Sequence, residues 1–183
     1  MVMYRISFAA HSDPPTEDLS KDIKKLIKSL VDSLDHNMIF YLGGYYGTMK
    51  VIADEACRHS VKSVFILPYN MTELPEVPRK DCFIPIYTGL SMRQRSETLV
   101  LSGDVLVAVG GYAGTIIEIF IAYSNNKNSY VLTGYDYPSD LLEQIFNPYI
   151  DPRRNAVIKY YRRDPEGLAR ELSEDLLKSI RKN

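Results

Sequence analysis

The sequence predicts an α/β fold with three layers and a mainly parallel sheet. Short apolar runs alternate with amphipathic segments over the 183 residues, which is typical of strands joined by helices. The run at 104–110, DVLVAVG, is almost wholly apolar, as parallel strands covered on both faces tend to be. The hydrophobic fraction is 45% and the charged fraction 25%, as in globular proteins. We therefore expect one domain, spanning residues 1–183.

The first part of the chain predicts three strands and two helices. Strands are predicted where short runs are rich in apolar, β-branched and aromatic residues, over 4–10, 38–42 and 61–68. Between the first two strands, apolar residues recur at helical spacing from Leu19 to Leu34, and Thr16 is a candidate N-cap. A second helix is predicted over 47–60, with its apolar residues on one face.

The second part of the chain continues the alternation. Residues 69–81 carry prolines and mixed charge and predict an exposed loop, followed by a short strand within 82–88. Ser91 is a candidate cap for the next helix. The remaining predicted elements are a helix over 91–103, a strand over 104–110, a helix over 114–124, a strand over 129–135, a helix over 138–147 and a helix from about Pro165 to Lys182.

Composition excludes several classes of partner. The net charge is −1, which argues against a nucleic-acid binder that works by neutralising phosphates. Apolar runs do not reach the roughly 18–20 residues of a membrane span, and a signal-peptide pattern is missing, so we expect no membrane partner and a cytoplasmic protein. Cys57 and Cys82 have no metal-ligand spacing and indicate no disulfide framework, and no metal site is predicted.

Two glycine-rich turns follow predicted strands and begin predicted helices. One contains Gly43, Gly44, Gly47 and Thr48, and the other contains Gly110, Gly111, Gly114 and Thr115. Ligands bind open parallel sheets beyond the carboxyl ends of the strands, where glycines allow close approach and helix N-termini attract phosphate. One such turn is equally well explained as a tight turn without a ligand. Two of them in one small domain favour a phosphate site.

The turns lack the features of two common nucleotide sites. Neither contains the lysine of a Walker A loop, so hydrolysis of a nucleoside triphosphate is not indicated. Neither matches G-x-G-x-x-G, and the third strand ends in Leu67 and Pro68 instead of an acid that could bind a ribose hydroxyl. A dinucleotide-dependent dehydrogenase is therefore disfavoured.

Three segments, 43–56, 91–119 and 129–135, resemble the Lonely-Guy phosphoribohydrolase superfamily, also labelled lysine decarboxylase-like. The similarity is greatest to the prokaryotic branch near molybdenum-cofactor carrier-like proteins, and it covers roughly residues 4–147. It implies a Rossmann-like fold, a homodimer and a small-molecule nucleotide as the partner. It also implies cleavage of the N-glycosidic bond of a nucleoside 5'-monophosphate, which gives free base and ribose 5-phosphate.

Two motifs of the superfamily match segments that precede the second glycine turn in the chain. The Met-x-x-Arg-Lys motif falls on 92–96, so Met92 matches, Arg95 matches the catalytic arginine, and Ser96 replaces the lysine. The Cys-Gly-Ser-Ser turn after the first strand falls on 9–12, where Ser12 is retained and Ala10 replaces the glycine. By this resemblance, Met92 and Ser12 join the predicted nucleotide-binding residues.

The third motif, Pro-Gly-Gly-x-Gly-Thr-x-x-Glu, falls on 110–118. Glu118 matches the catalytic glutamate, Gly110 replaces the proline, and Tyr112 replaces a glycine. Glu118 lies four residues after Gly114, and a carboxylate there could stabilise the positive charge that develops on the sugar. The alternative is an acid in the first helical turn that is favoured by the helix dipole alone.

Further residues near the turns have less specific roles. Arg95 could bind the substrate phosphate or hold Glu118 through a bidentate pair. His11 could line the pocket, although a lone loop histidine is more often structural. The tyrosines that flank the glycine turns could stack on a base, and these are Tyr45, Tyr46 and Tyr112.

Two functions follow as hypotheses. The leading one is a phosphoribohydrolase with Arg95 and Glu118 as its catalytic residues. The alternative is a non-catalytic protein that binds or carries a nucleotide or a molybdenum-cofactor-like ligand, and Ser96 and the irregular GGYAGT turn keep it open. A pyridoxal-phosphate decarboxylase is rejected because neither glycine turn contains a lysine for a Schiff base. We expect no resident cofactor.

Overall fold

Seven strands and six helices make up the computed structural model, which describes residues 3–69, 76–147, 149–151 and 153–180. The strands are β1 (Tyr4–Ala10), β2 (Met38–Leu42), β3 (Lys62–Leu67), β4 (Phe83–Tyr87), β5 (Val105–Val109), β6 (Ser129–Thr133) and β7 (Ile158–Arg162). The helices are α1 (Glu17–Leu34), α2 (Gly47–Arg58), α3 (Met92–Ser102), α4 (Ala113–Ser124), α5 (Leu142–Ile145) and α6 (Pro165–Ile180).

All seven strands belong to one sheet in the order β4-β3-β2-β1-β5-β6-β7, and every neighbouring pair is parallel. The predicted α/β fold with a mainly parallel, Rossmann-like sheet is confirmed. The strand order reverses direction between β1 and β5. In open parallel sheets this is the point where a crevice forms beyond the carboxyl ends of the strands.

The three predicted layers follow from alternation along the central strands. On β5, Val107 and Val109 face the core shared with α1, α2 and α6, whereas Leu106 and Ala108 face the core shared with α3 and α4. Because both faces are covered, the strand is apolar at every position and fully buried.

The predicted caps at two helix starts are confirmed. The side chain of Thr16 accepts a hydrogen bond from the Leu19 N–H at the start of α1. Ser91 forms a capping box with Gln94 at the start of α3, which satisfies two backbone donors of that helix. This cap sets the start of the helix that carries two residues of the site, Arg95 and Ser96.

Two predictions near the carboxyl end need correction. Residues 138–147 form a short 3-10 turn over Pro138–Leu141 followed by α5, instead of one helix. The Asp140 carboxylate accepts hydrogen bonds from the backbone of Gly134 and Tyr135, which ties this segment to the end of β6. The edge strand β7 was not predicted, because its lysine and arginine interrupt the apolar pattern. Residues 181 and 182 of the predicted last helix, and 70–75 of the predicted loop, lie outside the described residues.

The expectation that the cysteines form no disulfide is wrong, because the structure joins Cys57 to Cys82. Their spacing of 25 residues carries no signal in the sequence. The parallel pairing of β3 with β4 brings the residue before β4 beside the end of α2, and the two Cα atoms lie 5.6 Å apart. Within the described residues, the helices are too short or too polar to cross a membrane. The cytoplasmic location stays a prediction.

Replacing both cysteines by serine is expected to lower the free energy of unfolding by about 2 kcal/mol, because the bond restricts the unfolded chain. Urea unfolding of the oxidised protein and of the double variant measures the difference. Adding a reducing agent to the wild-type protein should reproduce the effect. Equal stability of the oxidised protein and the double variant would contradict this prediction.

Candidate functional site

A cavity of about 260 Å³ lies beyond the carboxyl end of β1. Its walls come from the end of β1 and the following loop, the start of α2, the first turns of α3 and the start of α4. Six of the predicted site residues line it, namely Ser12, Met92, Arg95, Gly114, Thr115 and Glu118. The tertiary structure therefore brings together residues that are more than 100 positions apart in the sequence.

The second glycine turn opens into the cavity at the N-terminus of α4. Tyr112 is the N-cap residue but its side chain makes no capping hydrogen bond, and the Ile116 N–H bonds back to the Tyr112 carbonyl. The N–H groups of residues 113–115 precede the first hydrogen bond of the helix, as at any helix start. Because Gly114 and Thr115 line the cavity, these donors and the positive end of the helix dipole favour an anion there.

The glycines of this turn have packing roles. A side chain at Gly111 would overlap Thr115, and a side chain at Gly110 would meet the ring of Tyr137 at 2.7 Å. Gly110 also has a φ of 56°, which proline cannot adopt. Gly110 and Gly111 therefore shape the turn without lining the cavity. Their predicted contact with phosphate stays a prediction.

The first glycine turn is closed by hydrogen bonds within the protein, which occupy the N–H and the hydroxyl of Thr48. The Thr48 N–H donates to the carbonyl of Asp13 at 3.0 Å, and its hydroxyl lies 2.8 Å from Nε2 of His11. A side chain at Gly47 would overlap the backbone of Ser12. The turn supports the loop after β1, and the four residues Gly43, Gly44, Gly47 and Thr48 do not line the cavity. Their phosphate-binding role also stays a prediction.

His11 is held in one orientation at the cavity wall. Its Nδ1 accepts a hydrogen bond from the Asp13 N–H at 3.2 Å, so the ring proton is assigned to Nε2, which donates to the Thr48 hydroxyl. Burial lowers the pKa of His11, and the nearby carboxylate of Asp13 only partly opposes this. His11 therefore faces the cavity as a neutral imidazole at neutral pH.

Arg95 is the buried cation of the site, and its residue is only 6% exposed. Its Nη2 donates to the sulfur of Met92 at 2.8 Å, and its Nη1 lies 3.9 Å from Oε1 of Glu118. Within the described residues, its Nε has no hydrogen-bond partner. The guanidinium packs on the backbone of Gly43, where a side chain would overlap it. Gly43 therefore leaves room for Arg95.

Glu118 is buried beside Arg95 and accepts a hydrogen bond from the Ser96 hydroxyl at 2.9 Å. Burial raises the pKa of Glu118 to about 7, although the charge of Arg95 and the hydrogen bond from Ser96 both lower it. The carboxyl group therefore exchanges a proton near neutral pH, as general acids and bases do. A carboxylate that owed its position to the helix dipole alone would not be buried beside a cation.

Ser96→Ala is expected to raise the pKa of Glu118 by about one pH unit, because the variant removes a hydrogen bond to the ionised form. Carboxyl NMR of labelled glutamate across a pH titration measures this pKa. Ser102→Ala, at the far end of α3, is the control, since that hydroxyl donates to the Thr98 carbonyl, away from Glu118. An unchanged pKa in Ser96→Ala would show that the hydrogen bond does not tune Glu118.

The three candidate tyrosines differ in whether they line the cavity. Tyr46 and Tyr112 line the cavity. Tyr45 does not, because its ring packs against Phe65 and Phe83 in the core. Phe8, Met49 and Leu99, which were not predicted as site residues, form an apolar part of the wall. Apolar residues of a strand and two helices carry no signal that distinguishes a pocket wall from a core.

The parallel sheet, with a cavity at its switch point, places the protein in the Rossmann-like class. A helix N-terminus and the buried pair Arg95 and Glu118 form part of the cavity wall. The chain belongs to the SLOG cluster4 family, whose model matches residues 15–159. This confirms the relationship to the Lonely-Guy superfamily that the motifs indicate. A search of curated proteins found no match.

Solved structures share the fold over nearly the whole chain. TM1055, a structural-genomics target, is 25% identical, with a TM-score of 0.76, over 93% of this chain and 99% of its own. The molybdenum cofactor binding protein of Rippkaea orientalis is 23% identical, with a TM-score of 0.68, over 98% of both chains. The molybdenum cofactor carrier protein of Chlamydomonas reinhardtii is 21% identical, with a TM-score of 0.72, over 96% of this chain and 99% of its own.

Proposed function

We propose that this protein binds and carries a small phosphorylated heteroaromatic molecule, either a nucleotide or a molybdenum-cofactor-like ligand. The observation that carries the proposal is Arg95, a buried guanidinium at the cavity wall whose Nε has no partner in the described part of the chain. A buried donor without a partner costs free energy, and a cation enlarges that cost. An anionic group in the cavity would pair with this buried guanidinium, whose Nη groups contact the Met92 sulfur and, at 3.9 Å, the Glu118 carboxyl group.

The start of α4 supports the same kind of ligand. Gly114 and Thr115 line the cavity with the N–H groups that the helix leaves free, and a phosphate is the group that such donors bind well. Arg95 and the α4 N-terminus belong to separate elements but reach one cavity. Their convergence favours a phosphorylated ligand over a neutral one.

The likeness to two proteins named for binding or carrying molybdenum cofactor supports a carrier more than a hydrolase. The described residues contain no group of three His, Cys, Asp or Glu side chains that could hold a metal ion. Recognition of such a cofactor would therefore depend on its organic and phosphate parts. Arg95 and the start of α4, which line the cavity and favour an anion, fit that requirement.

Calorimetry with AMP, GMP, ribose 5-phosphate and inorganic phosphate tests the proposal. We expect the nucleotides to bind and to be recovered unchanged after prolonged incubation. Released molybdenum cofactor, added under anaerobic conditions and followed by its absorbance through gel filtration, tests the second ligand class. Failure of both classes to bind would overturn the proposal.

Glu118 favours a second candidate, the phosphoribohydrolase. Its carboxyl group lies between Ser96 and Arg95 at the cavity wall, and burial raises its pKa to about 7. The ionised form could stabilise an oxocarbenium-like sugar, and the protonated form could protonate a leaving base. Release of ribose 5-phosphate and free base that disappears in Glu118→Gln, while AMP still binds, would support this candidate over the carrier.

The homodimer is proposed on the resemblance and on one feature of α4. This helix carries Phe120 on its outer side at 37% exposure, with Ile117 and Ile121 half-buried beside it. Light scattering coupled to gel filtration measures the mass of the particle. A mass near that of one 20.9 kDa chain would overturn this proposal.

A further inference from the structure

Three aromatic rings form a cluster at the mouth of the cavity, and we call it the aromatic wall. The rings of His11 and Tyr137 have centroids 4.6 Å apart, and Tyr112 meets Tyr137 edge to face at 5.8 Å. His11 and Tyr112 both line the cavity, with their centroids 6.1 Å apart. The three residues come from the loop after β1, the start of α4 and the loop after β6.

Contacts with the surrounding protein hold two rings of the aromatic wall, those of His11 and Tyr137. The hydrogen bonds of His11 to Asp13 and Thr48 hold its imidazole. Tyr137 lies directly over Gly110, where a Cβ atom would be 2.7 Å from its ring. The Ser139 N–H donates to the Gly111 carbonyl at 3.1 Å and ties the 3-10 turn after Tyr137 to the glycine turn.

This packing explains two departures from the superfamily motif. Glycine at 110 makes room for Tyr137 and allows the positive φ, and tyrosine at 112 places a ring where the motif has a glycine. The two replacements therefore contact the same ring, that of Tyr137.

Tyr112 leaves an accessible surface beside the phosphate-favouring helix start. It is the N-cap residue of α4 and is 51% exposed, while Tyr137 and His11 support it from one side. Single exposed aromatic residues are ordinary on protein surfaces. This one is held by two other rings and lies within two residues of Gly114, whose N–H belongs to the proposed anion site.

We propose that the aromatic wall is a stacking subsite, in which Tyr112 packs against the planar ring of a purine or pterin whose phosphate binds at the start of α4. This inference rests on the proposed binding function. Purines and pterins share a flat heteroaromatic ring system, and stacking tolerates differences in their polar edges. The aromatic wall then distinguishes a ligand with a ring from a sugar phosphate without one.

Tyr112→Ala should weaken AMP binding about tenfold and leave the affinity for ribose 5-phosphate unchanged. Tyr112→Phe should keep the wild-type affinity for AMP, because the ring is retained. Tyr87→Ala removes a tyrosine of similar exposure from the edge strand β4 and is the matched control. Thermal melting of each variant shows that it is folded.

Two results would overturn the subsite while the proposed function stands. One is wild-type protein that binds ribose 5-phosphate as tightly as AMP, and the other is Tyr112→Ala that binds AMP as the wild type does. Wild-type protein that binds no phosphorylated compound would instead overturn the proposed function and this inference with it. A phosphorylated pterin tested in parallel distinguishes the two ring systems. The subsite is supported if Tyr112→Ala loses affinity for AMP or for the pterin but keeps its affinity for ribose 5-phosphate.

Discussion

Arg95→Ala is expected to weaken the binding of AMP by about a hundredfold. A guanidinium that donates two charge-assisted hydrogen bonds to a phosphate contributes roughly 3 kcal/mol, which corresponds to that factor. The effect is large because Arg95 is buried, so water does not replace the lost contacts easily. Isothermal titration calorimetry of the wild type and the variant gives both dissociation constants.

Arg93→Ala is the matched control, because Arg93 is on the same helix and exposed. Arg93→Ala removes one positive charge from the protein but leaves the cavity unchanged. We expect it to change the dissociation constant for AMP less than twofold. The comparison is made at pH 6, where the carboxyl group of Glu118 is largely protonated and does not remain as an unpaired buried anion. Equal losses in the two variants would indicate a general electrostatic effect and contradict the role given to Arg95.

Glu118→Gln is expected to flatten the pH dependence of stability. The folded protein holds the Glu118 proton up to about pH 7, whereas the unfolded chain releases it near the ordinary glutamate pKa of 4.5. The unfolded state therefore binds fewer protons between these values, and the stability of the wild type falls as the pH rises through this window. The loss amounts to about 3 kcal/mol and is complete above pH 7.

Urea unfolding of the wild type and Glu118→Gln from pH 4.5 to pH 8 measures this linkage. The difference between the two curves isolates Glu118, because all other titrating groups are common to both proteins. Glu97→Gln, an exposed site on α3, is the control and should leave the wild-type curve unchanged. A difference that is constant with pH would mean that the pKa of Glu118 is ordinary and that its burial has no functional consequence.

The variants at Arg95 and Glu118 also distinguish the proposed functions when product release is measured beside binding. A carrier depends on Arg95 for its ligand and needs no proton transfer from Glu118. A phosphoribohydrolase needs both residues, and its rate should depend on pH near the pKa of Glu118. Measuring binding and product release on the same variants separates these two outcomes.

Most helices and strands follow from local patterns. Apolar spacing and the caps Thr16 and Ser91 predicted α1 and α3, because a helix start depends on hydrogen bonds between residues three or four positions apart. The edge strand β7 escaped prediction because it is only partly buried and carries charged side chains. Its place depends on pairing with β6, which is a tertiary contact.

The site was predicted in part. The motifs around Arg95 and Glu118 indicated the pair, and the structure brings both to one cavity. The contribution of the first glycine turn was harder to predict, because Thr48 donates its N–H to the Asp13 carbonyl and its hydroxyl accepts from His11, and both partners belong to the loop after β1. The contact of Tyr137 with Gly110 could not be predicted, since it forms only after the carboxyl ends of β5 and β6 have come side by side.

By itself, the sequence determined the fold class and the strand-helix alternation, and it predicted Arg95 and Glu118 as candidate site residues. These depend on the period of apolar residues and on motifs whose members are near neighbours in the chain. Only the tertiary structure decided that Cys57 pairs with Cys82, that the second glycine turn opens into the cavity while the first is closed, and that Tyr112 belongs to an aromatic wall. Each of these depends on distances and burial between distant segments, which no local pattern encodes.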